Sequence, residues 1–202
     1  MSGANALARA YVFDFDGTLG TIPVDWARVK EGLRELTGSQ EEFTSVFPAI
    51  IQVLEKHPKD QRRVFALIDE YEVAAAPSAT LYQGAFDLLS VLSQTAKISL
   101  VTMQGSKATE ILLRRFNLKQ FFLRSFTRED SLERGEQIRF ALEAMGADRE
   151  ASVFVGDRLN DLRAAKEVGV PFTMIRTHGE DPEDSGVRLY HSVAEFLEAI
   201  GR

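Results

Sequence analysis

Cysteine is absent from the 202-residue chain, so disulfides, thiolate zinc sites and thiol nucleophiles are all excluded. The absence fits an intracellular protein. A long apolar run is lacking too: nothing approaches the roughly 20 residues needed to cross a bilayer. Met1–Ala6 has neither the basic segment nor the apolar core of a secretory leader, so a cytoplasmic protein with no membrane partner is expected. An excess of positive charge is also missing. With 24 Lys+Arg against 30 Asp+Glu the formal charge is −6, which argues against nucleic acid, a partner that demands a basic face. Histidine is scarce, and His57, His178 and His191 are scattered among polar neighbours, so none is assigned a catalytic role. No internal repeat or low-complexity tract is present. What remains is an ordinary mixture, 45% apolar and 27% charged, enough for the core of one large domain or of one domain with a smaller insertion.

From Tyr82 onward, helix-like and strand-like segments alternate. The pattern predicts helices over Gln83–Gln94, Ser106–Phe116 with Ser106 as N-cap, Gly135–Met145 ended by Gly146, Leu159–Val168 ended by Gly169, and Val193–Ile200. It predicts strands over Ile98–Val101, Phe121–Phe126, Ser152–Val155 and Pro171–Ile175, and a polar surface loop over Thr177–Val187. Such alternation signals a parallel sheet with helices on both faces, an α/β fold of three layers in the Rossmann-like manner. Pro23–Pro77 breaks the pattern. Trp26, Val29, Leu33 and Leu36 fall at helical spacing, as do Val46, Ile50 and Leu54, and then Phe65, Ile68 and Glu72. Pro48 suits the first position of a new helix. The segment therefore reads as a wholly helical insert, its apolar stripes and Trp26 taken as insert core and Arg28 as a surface charge.

The most informative motif is Asp14-Phe15-Asp16-Gly17-Thr18-Leu19, directly after the apolar stretch Ala10–Phe13. This reads as a buried strand with acids at its C-terminal tip, where open parallel sheets bind ligands. In an extended strand Asp14 and Asp16 leave the backbone on the same side of the pleat. Carboxylates held that close repel and raise each other's pKa, so a turn or cap role is the weaker reading, and a divalent cation with acid–base or nucleophilic work the stronger. An EF-hand loop is rejected, because the spacing to a ligand Glu is missing. Three further features stand at or near predicted strand ends: Thr102 after Ile98–Val101, Gly156-Asp157-Arg158-Leu159-Asn160-Asp161 after Ser152–Val155, and Arg134 opening the helix that ends at Gly146. In a parallel sheet all of them meet on one edge.

Together these four features resemble the haloacid dehalogenase superfamily of phosphohydrolases, in particular its phosphoglycolate phosphatase-like members with a first-type helical cap. The resemblance implies a core over 1–20 and 80–202, with a cap over 21–79. It implies a Mg²⁺-dependent phosphatase acting on a small phosphomonoester, phosphoglycolate-like or a sugar phosphate, as a monomer or homodimer. Asp14 is then the nucleophile that forms an aspartyl-phosphate, and Asp16 the acid that protonates the leaving alkoxide and later activates water. Asp14, the backbone carbonyl of Asp16, and Asp157 would hold the metal, with Asp161 holding a metal-bound water or the basic residue of the third motif. Thr102 and the N–H groups of the Asp16–Gly17 turn would bind phosphoryl oxygens, with Thr18 as a further phosphate contact; Lys107 is named from its residue type as a substrate or phosphate contact beside the stronger reading of a solvated helix position. The family's third-motif lysine falls on Arg134, which keeps the charge with different geometry, and Arg128 is the next candidate. The alternatives are a phosphomutase of the β-phosphoglucomutase kind and a phosphate-ester-binding regulatory protein without turnover. A dehalogenase is disfavoured because Asp16 would be superfluous, and a receiver domain because the insert has no place there.

Overall fold

The computed structural model describes residues 8–38, 46–56, 58–176 and 186–201. Its strands, in chain order, are β1 (Ala10–Phe13), β2 (Gly20–Thr21), β3 (Thr80–Leu81), β4 (Lys97–Val101), β5 (Arg124–Phe126), β6 (Ser152–Gly156), β7 (Phe172–Ile175) and β8 (Arg188–Tyr190). Six of them form one sheet in the order β5-β4-β1-β6-β7-β8, every pairing parallel. The central strand shows why the sheet is sandwiched. All four residues of β1 are buried, as expected of a strand covered on both faces. Ala10 and Val12 join one apolar cluster and Tyr11 and Phe13 the other, following the two-residue period of the pleat. On the first face lie helices α6 (Arg134–Met145) and α7 (Leu159–Val168). On the second lie α4 (Ala85–Leu92), α5 (Ser106–Arg115) and α8 (Val193–Ile200). The fold is thus the three-layer α/β core read from the alternation. Among the described residues no helix is long and apolar enough to cross a membrane.

The chain lays β4 and β5 on one side of β1, then returns to lay β6, β7 and β8 on the other. A reversal of this kind opens a crevice at the carboxyl ends of the strands that flank it. The helical insert enters beside that crevice. β2 and β3 pair antiparallel, Gly20 opposite Leu81, so that the two ends of the insert stand side by side. Tyr82 N–H reinforces the junction by donating to the Leu19 carbonyl at 2.9 Å. Every described element between is helical: α1 (Trp26–Thr37), α2 (Val46–Lys56), α3 (Gln61–Ala75) and two short 3₁₀ turns. Asp25 caps α1, its Oδ1 accepting from Arg28 N–H at 3.1 Å. Val29, Leu33, Ile50, Val64 and Ile68 are buried in the same cluster as Phe15, Leu19 and Ile22. Each such side chain contributes about 1.5–3 kcal/mol of burial, so insert and core share one apolar interior.

Several local expectations need correction. The N-cap of α5 is Gly105 rather than Ser106, whose N–H instead donates to the Glu129 carboxylate. The strand expected over Phe121–Phe126 shortens to β5, because Lys119–Phe121 is a 3₁₀ turn. Helix α2 begins at Val46, two residues before Pro48; proline is still accommodated, since N–H groups of a first turn have no helical acceptor. β2, β3 and β8 were not anticipated. The loop expected over Thr177–Val187 lies mostly outside the described residues, as does the start of the chain.

One ionic cluster ties α3 to the sheet. Arg128, in the loop after β5 and 1% exposed, donates through Nη1 to both Glu72 oxygens at 2.8 Å and to the Met103 carbonyl at 3.0 Å, and through Nη2 to Asp69. Glu72 also accepts from Gly105 N–H at 2.8 Å. A Cβ at Gly105 would stand against the Asp69 carboxylate and the Arg128 guanidinium, so a larger residue there must displace them. Arg128, the second candidate for the third motif, is therefore committed to the insert–core junction. Burial pushes the Glu72 carboxyl up to about 6 from 4.5, in spite of Arg128. The folded protein therefore binds the extra proton, so this group's contribution is full below pH 4.5 and is lost as pH rises through about 6. Relative to Glu72→Gln, the wild type should lose about 2 kcal/mol of unfolding free energy between pH 4.5 and 7. Denaturant melts at several pH values check it, and a pH-independent difference between the two proteins would refute it.

Candidate active site

β1 and β6 are adjacent, with Phe13 opposite Val155. That register carries the two chain ends past the sheet together, Asp14 N–H donating to the Val155 carbonyl at 2.9 Å. Neighbouring parallel strands are about 4.8 Å apart, so acids placed just beyond them become neighbours. Carboxylate oxygens of Asp14, Asp157 and Asp161 indeed lie within 4.8 Å of one another. Asp16 is not part of that group. β1 ends at Phe13, so the pleat does not continue through Asp16 as an extended strand would require. The chain turns instead, and Asp16 Oδ1 accepts from Ile22 N–H at 3.1 Å while its side chain still faces the same cavity. The turn consumes N–H groups expected to bind phosphate: Gly17 N–H donates to Gly20 O at 2.8 Å and Thr18 N–H to Phe15 O at 3.2 Å. Gly17 has φ +87°, and a Cβ there would run into the Asp157 carboxylate, so glycine is needed both for the backbone and for the acid.

Arg134 enters from the N-terminus of α6. Its guanidinium uses three edges: Nη2 reaches Asp14 Oδ1 at 3.0 Å, Nε reaches Asp161 Oδ1 at 3.2 Å, and Nη1 donates to Gln137 Oε1 at 3.0 Å. Gln137, one helical turn on and fully buried, donates from Nε2 to the carbonyls of Thr102, Thr127 and Ser131. It locks Arg134 to the loops after β4 and β5. Asp161 has a second task, its Oδ2 accepting from Arg158 N–H at 3.2 Å at the start of α7, as the acid of a capping box does. The Arg158 side chain stands 3.6 Å from Asp157 and 3.9 Å from Asp16. Burial is the main cause that pushes Asp14 well above the usual carboxylate range; Arg134 opposes it, and Asp161, Asp157 and Asp16 add to it. Asp157 is pushed up to about 6 by burial and then by Asp161. Asp16 is raised by burial against the Ile22 hydrogen bond and Arg158. The site is thus short of positive charge.

Oxygen donors of this kind suit a hard divalent cation such as Mg²⁺. The residues fit one: Asp157 Oδ1 is buried with no partner among the described residues, and the Asp14–Asp157–Asp161 group is compact.

A cavity of about 420 Å³ is lined by Asp14, Asp16 and Asp161. Thr102, at the end of β4 and 1% exposed, forms part of its wall. Trp26 of α1 and Phe47 and Ile51 of α2 supply an apolar side, Trp26 packing edge-on to Phe47 at 5.7 Å. Trp26 is therefore a cavity residue as well as part of the insert core. Arg139 of α6, Arg158 at the N-cap of α7 and Arg163 of α7 also line the cavity, together with Glu133 and Glu167. Thr18 is fully buried beneath the turn, its hydroxyl without a partner among the described residues. Lys107 is not brought to the cavity. It sits one residue into α5 with its side chain 74% exposed, 3.9 Å from Asp69 on the outer side of the ionic tie. Arg28 is exposed and paired with Asp25. Arg158, Gln137 and Gln104 were not singled out from sequence. For Gln137 the signal was available in its place one turn after Arg134; for Gln104, in its place two residues after Thr102.

The family described as haloacid dehalogenase-like hydrolase matches residues 11–175. N-acetylmuramic acid 6-phosphate phosphatase of Pseudomonas aeruginosa is 24% identical over 200 residues, covering 88% of this chain and 85% of that protein. Among solved structures, a phosphatase of the same superfamily from Thermococcus onnurineus has a TM-score of 0.69 at 19% identity, covering 96% of this chain and 98% of that one. YfnB of Bacillus subtilis, bound to magnesium, has a TM-score of 0.63 at 21% identity over 96% and 99%. At these identities the structural likenesses speak for the fold alone.

The Gly17 turn gives a direct test of the construction. Gly17→Ala forces a strained φ and displaces Asp157, and should cost more than about 1 kcal/mol in denaturant unfolding. A loss below about 0.5 kcal/mol would show that the turn relaxes and does not position the acid.

Proposed function

The chain belongs to the haloacid dehalogenase-like hydrolase family, and from that premise we propose that it is a Mg²⁺-dependent phosphatase of small phosphomonoesters working through an aspartyl-phosphate. The observation that carries the reading is Asp14 at the strand tip, grouped with Asp157 and Asp161 and contacted by Arg134. In this reading Asp14, Asp157 and the Asp16 carbonyl hold the cation, with Asp161 behind them. The cation would offset the repulsion between a carboxylate and a phosphate dianion.

Asp14 attacks phosphorus, the ester P–O bond breaks, and the leaving oxygen takes a proton from Asp16. The raised affinity of Asp16 for a proton, set by its burial, suits that role. Water, deprotonated by Asp16, then releases inorganic phosphate and restores Asp14. Arg134 opposes the burial that would neutralise Asp14, and with Thr102 it faces the phosphoryl oxygens. The helices of residues 21–79 act as the cap, their Trp26 and Phe47 covering the leaving group and excluding water. A leaving group of sugar size matches the cavity, and the N-acetylmuramic acid 6-phosphate phosphatase among the relatives supports a sugar phosphate over phosphoglycolate.

Purified protein with Mg²⁺ should release phosphate from p-nitrophenyl phosphate and lose that activity on chelation. Asp14→Asn should fall to background, and wild-type turnover no greater than that of Asp14→Asn would end the phosphatase reading. Arg134→Ala should lower kcat roughly 100-fold, the scale for removing one preorganised donor. Arg134→Lys should recover part of it, and unchanged turnover in both would strike Arg134 from the site.

A further inference from the structure

Among the described residues, Gln104 is the side chain with two buried polar atoms left without a partner. It is 3% exposed, and neither Oε1 nor Nε2 makes a hydrogen bond. The other orphaned groups differ in kind. Thr18, Ser99 and Thr109 each leave one rotatable hydroxyl, Arg128 and Arg176 leave one N–H of a guanidinium, and Asp157 belongs to the carboxylate group. A buried carboxamide with both halves unmatched is destabilising, and such groups are rare unless something else meets them.

Its surroundings say what that is. Gln104 lines the cavity over the acids, two residues after Thr102. Its backbone is fixed from both sides: the N–H donates to Thr102 Oγ1 at 3.2 Å, and the carbonyl accepts from Arg128 N–H at 3.4 Å. The side chain therefore departs from an anchored backbone beside the phosphoryl site. Trp26, Phe47 and Met103 line the same cavity and carry no charge, while its charged lining residues make no hydrogen bond to the carboxamide.

We propose that Gln104 is a specificity-determining residue that hydrogen-bonds the leaving group, and that the substrate is a phosphomonoester of a polyhydroxylated or amide-bearing alcohol. A carboxamide presents a donor and an acceptor side by side, matching a hydroxyl or an amide, each of which can both give and accept a hydrogen bond. The apolar wall of Trp26 and Phe47 would cover the carbon face of the same group. A site built to hydrogen-bond a substrate group rejects the analogue lacking it strongly, because its own polar atoms are then left unpaired. The proposal rests on the phosphatase reading and adds to it the chemistry of the leaving group.

The test compares kcat/KM for glucose 6-phosphate and N-acetylglucosamine 6-phosphate with that for phenyl phosphate, in the wild type and in Gln104→Met, which keeps the volume and removes both polar atoms. The wild type should prefer at least one sugar ester over phenyl phosphate by tenfold or more, and Gln104→Met should reduce that preference at least tenfold. The unliganded variant should melt no lower than the wild type, since an unmatched polar group has been removed. The proposal is overturned by a wild type that does not prefer either sugar ester, by a variant with an unaltered preference ratio, or by a lower melting temperature. Asp14-dependent turnover of phenyl phosphate with no sugar preference would leave the phosphatase reading standing and remove only the role of Gln104. No turnover of any ester would remove the phosphatase reading itself, and a melting temperature unchanged or raised in Gln104→Met would then still report the carboxamide as unmatched.

Discussion

Everything at this sheet edge answers to the crowding of acids. Parallel pairing of β1 with β6 places Asp14 and Asp157 side by side, and the first turn of α7 brings Asp161 to the same point. Acids that close, and out of water, resist ionisation, as the raised carboxyls of Asp14 and Asp157 record. A fold keeps such an arrangement only if something offsets it. Arg134 supplies one positive charge against Asp14 and Asp161, and Arg158 a looser one against Asp157 and Asp16. Two cations against four acids still leave an excess of negative charge, and Asp157 Oδ1 marks where it is least satisfied.

Arginine rather than lysine at position 134 follows from the same crowding. A lysine ammonium is a compact point charge that can approach one acid closely. The planar guanidinium meets Asp14, Asp161 and Gln137 along separate edges, so the strand tip, the start of α7 and the body of α6 are held by one side chain. Gln137 then passes the constraint to the carbonyl of Thr102. The departure from the usual third-motif residue is matched by a partner set that uses its shape.

Much of this was legible in the sequence, for identifiable reasons. Long periodic elements such as α3, and strands packed with β-branched and aromatic residues such as β6, carry their pattern in their own composition. Asp14, Asp157 and Arg134 could be placed because each stands at a fixed distance from a strand end or helix end. β2, β3 and β8 could not, being two or three residues long and defined by their partners rather than by any period. Lys107 takes the solvated helix position that was the stronger reading, 3.9 Å from Asp69 and away from the cavity. Gln104 stands two residues after Thr102, but no spacing says that its carboxamide is unmatched or that Arg158 stands near two acids. Their significance lies in what they do or do not touch, which composition and periodicity do not record.

The loop from Thr102 to Gly105 joins the acid cluster of the site to the ionic tie around Arg128. At one end Thr102 faces the acids and accepts from Gln104 N–H. At the other, Gly105 donates to Glu72 of α3, and Met103 and Gln104 offer their carbonyls to Arg128. Arg128 is thus bonded to the insert through Glu72 and Asp69 and to the site loop through two carbonyls. Buried ion clusters of this sort give little net stability, because desolvation cancels most of the attraction, but losing one partner leaves a charge that nothing else can satisfy. Their effect is to permit one arrangement and penalise the rest. Here the permitted arrangement sets α3 and the loop carrying Thr102 and Gln104 in a single register, so the insert is positioned by the same residues that shape the floor of the cavity.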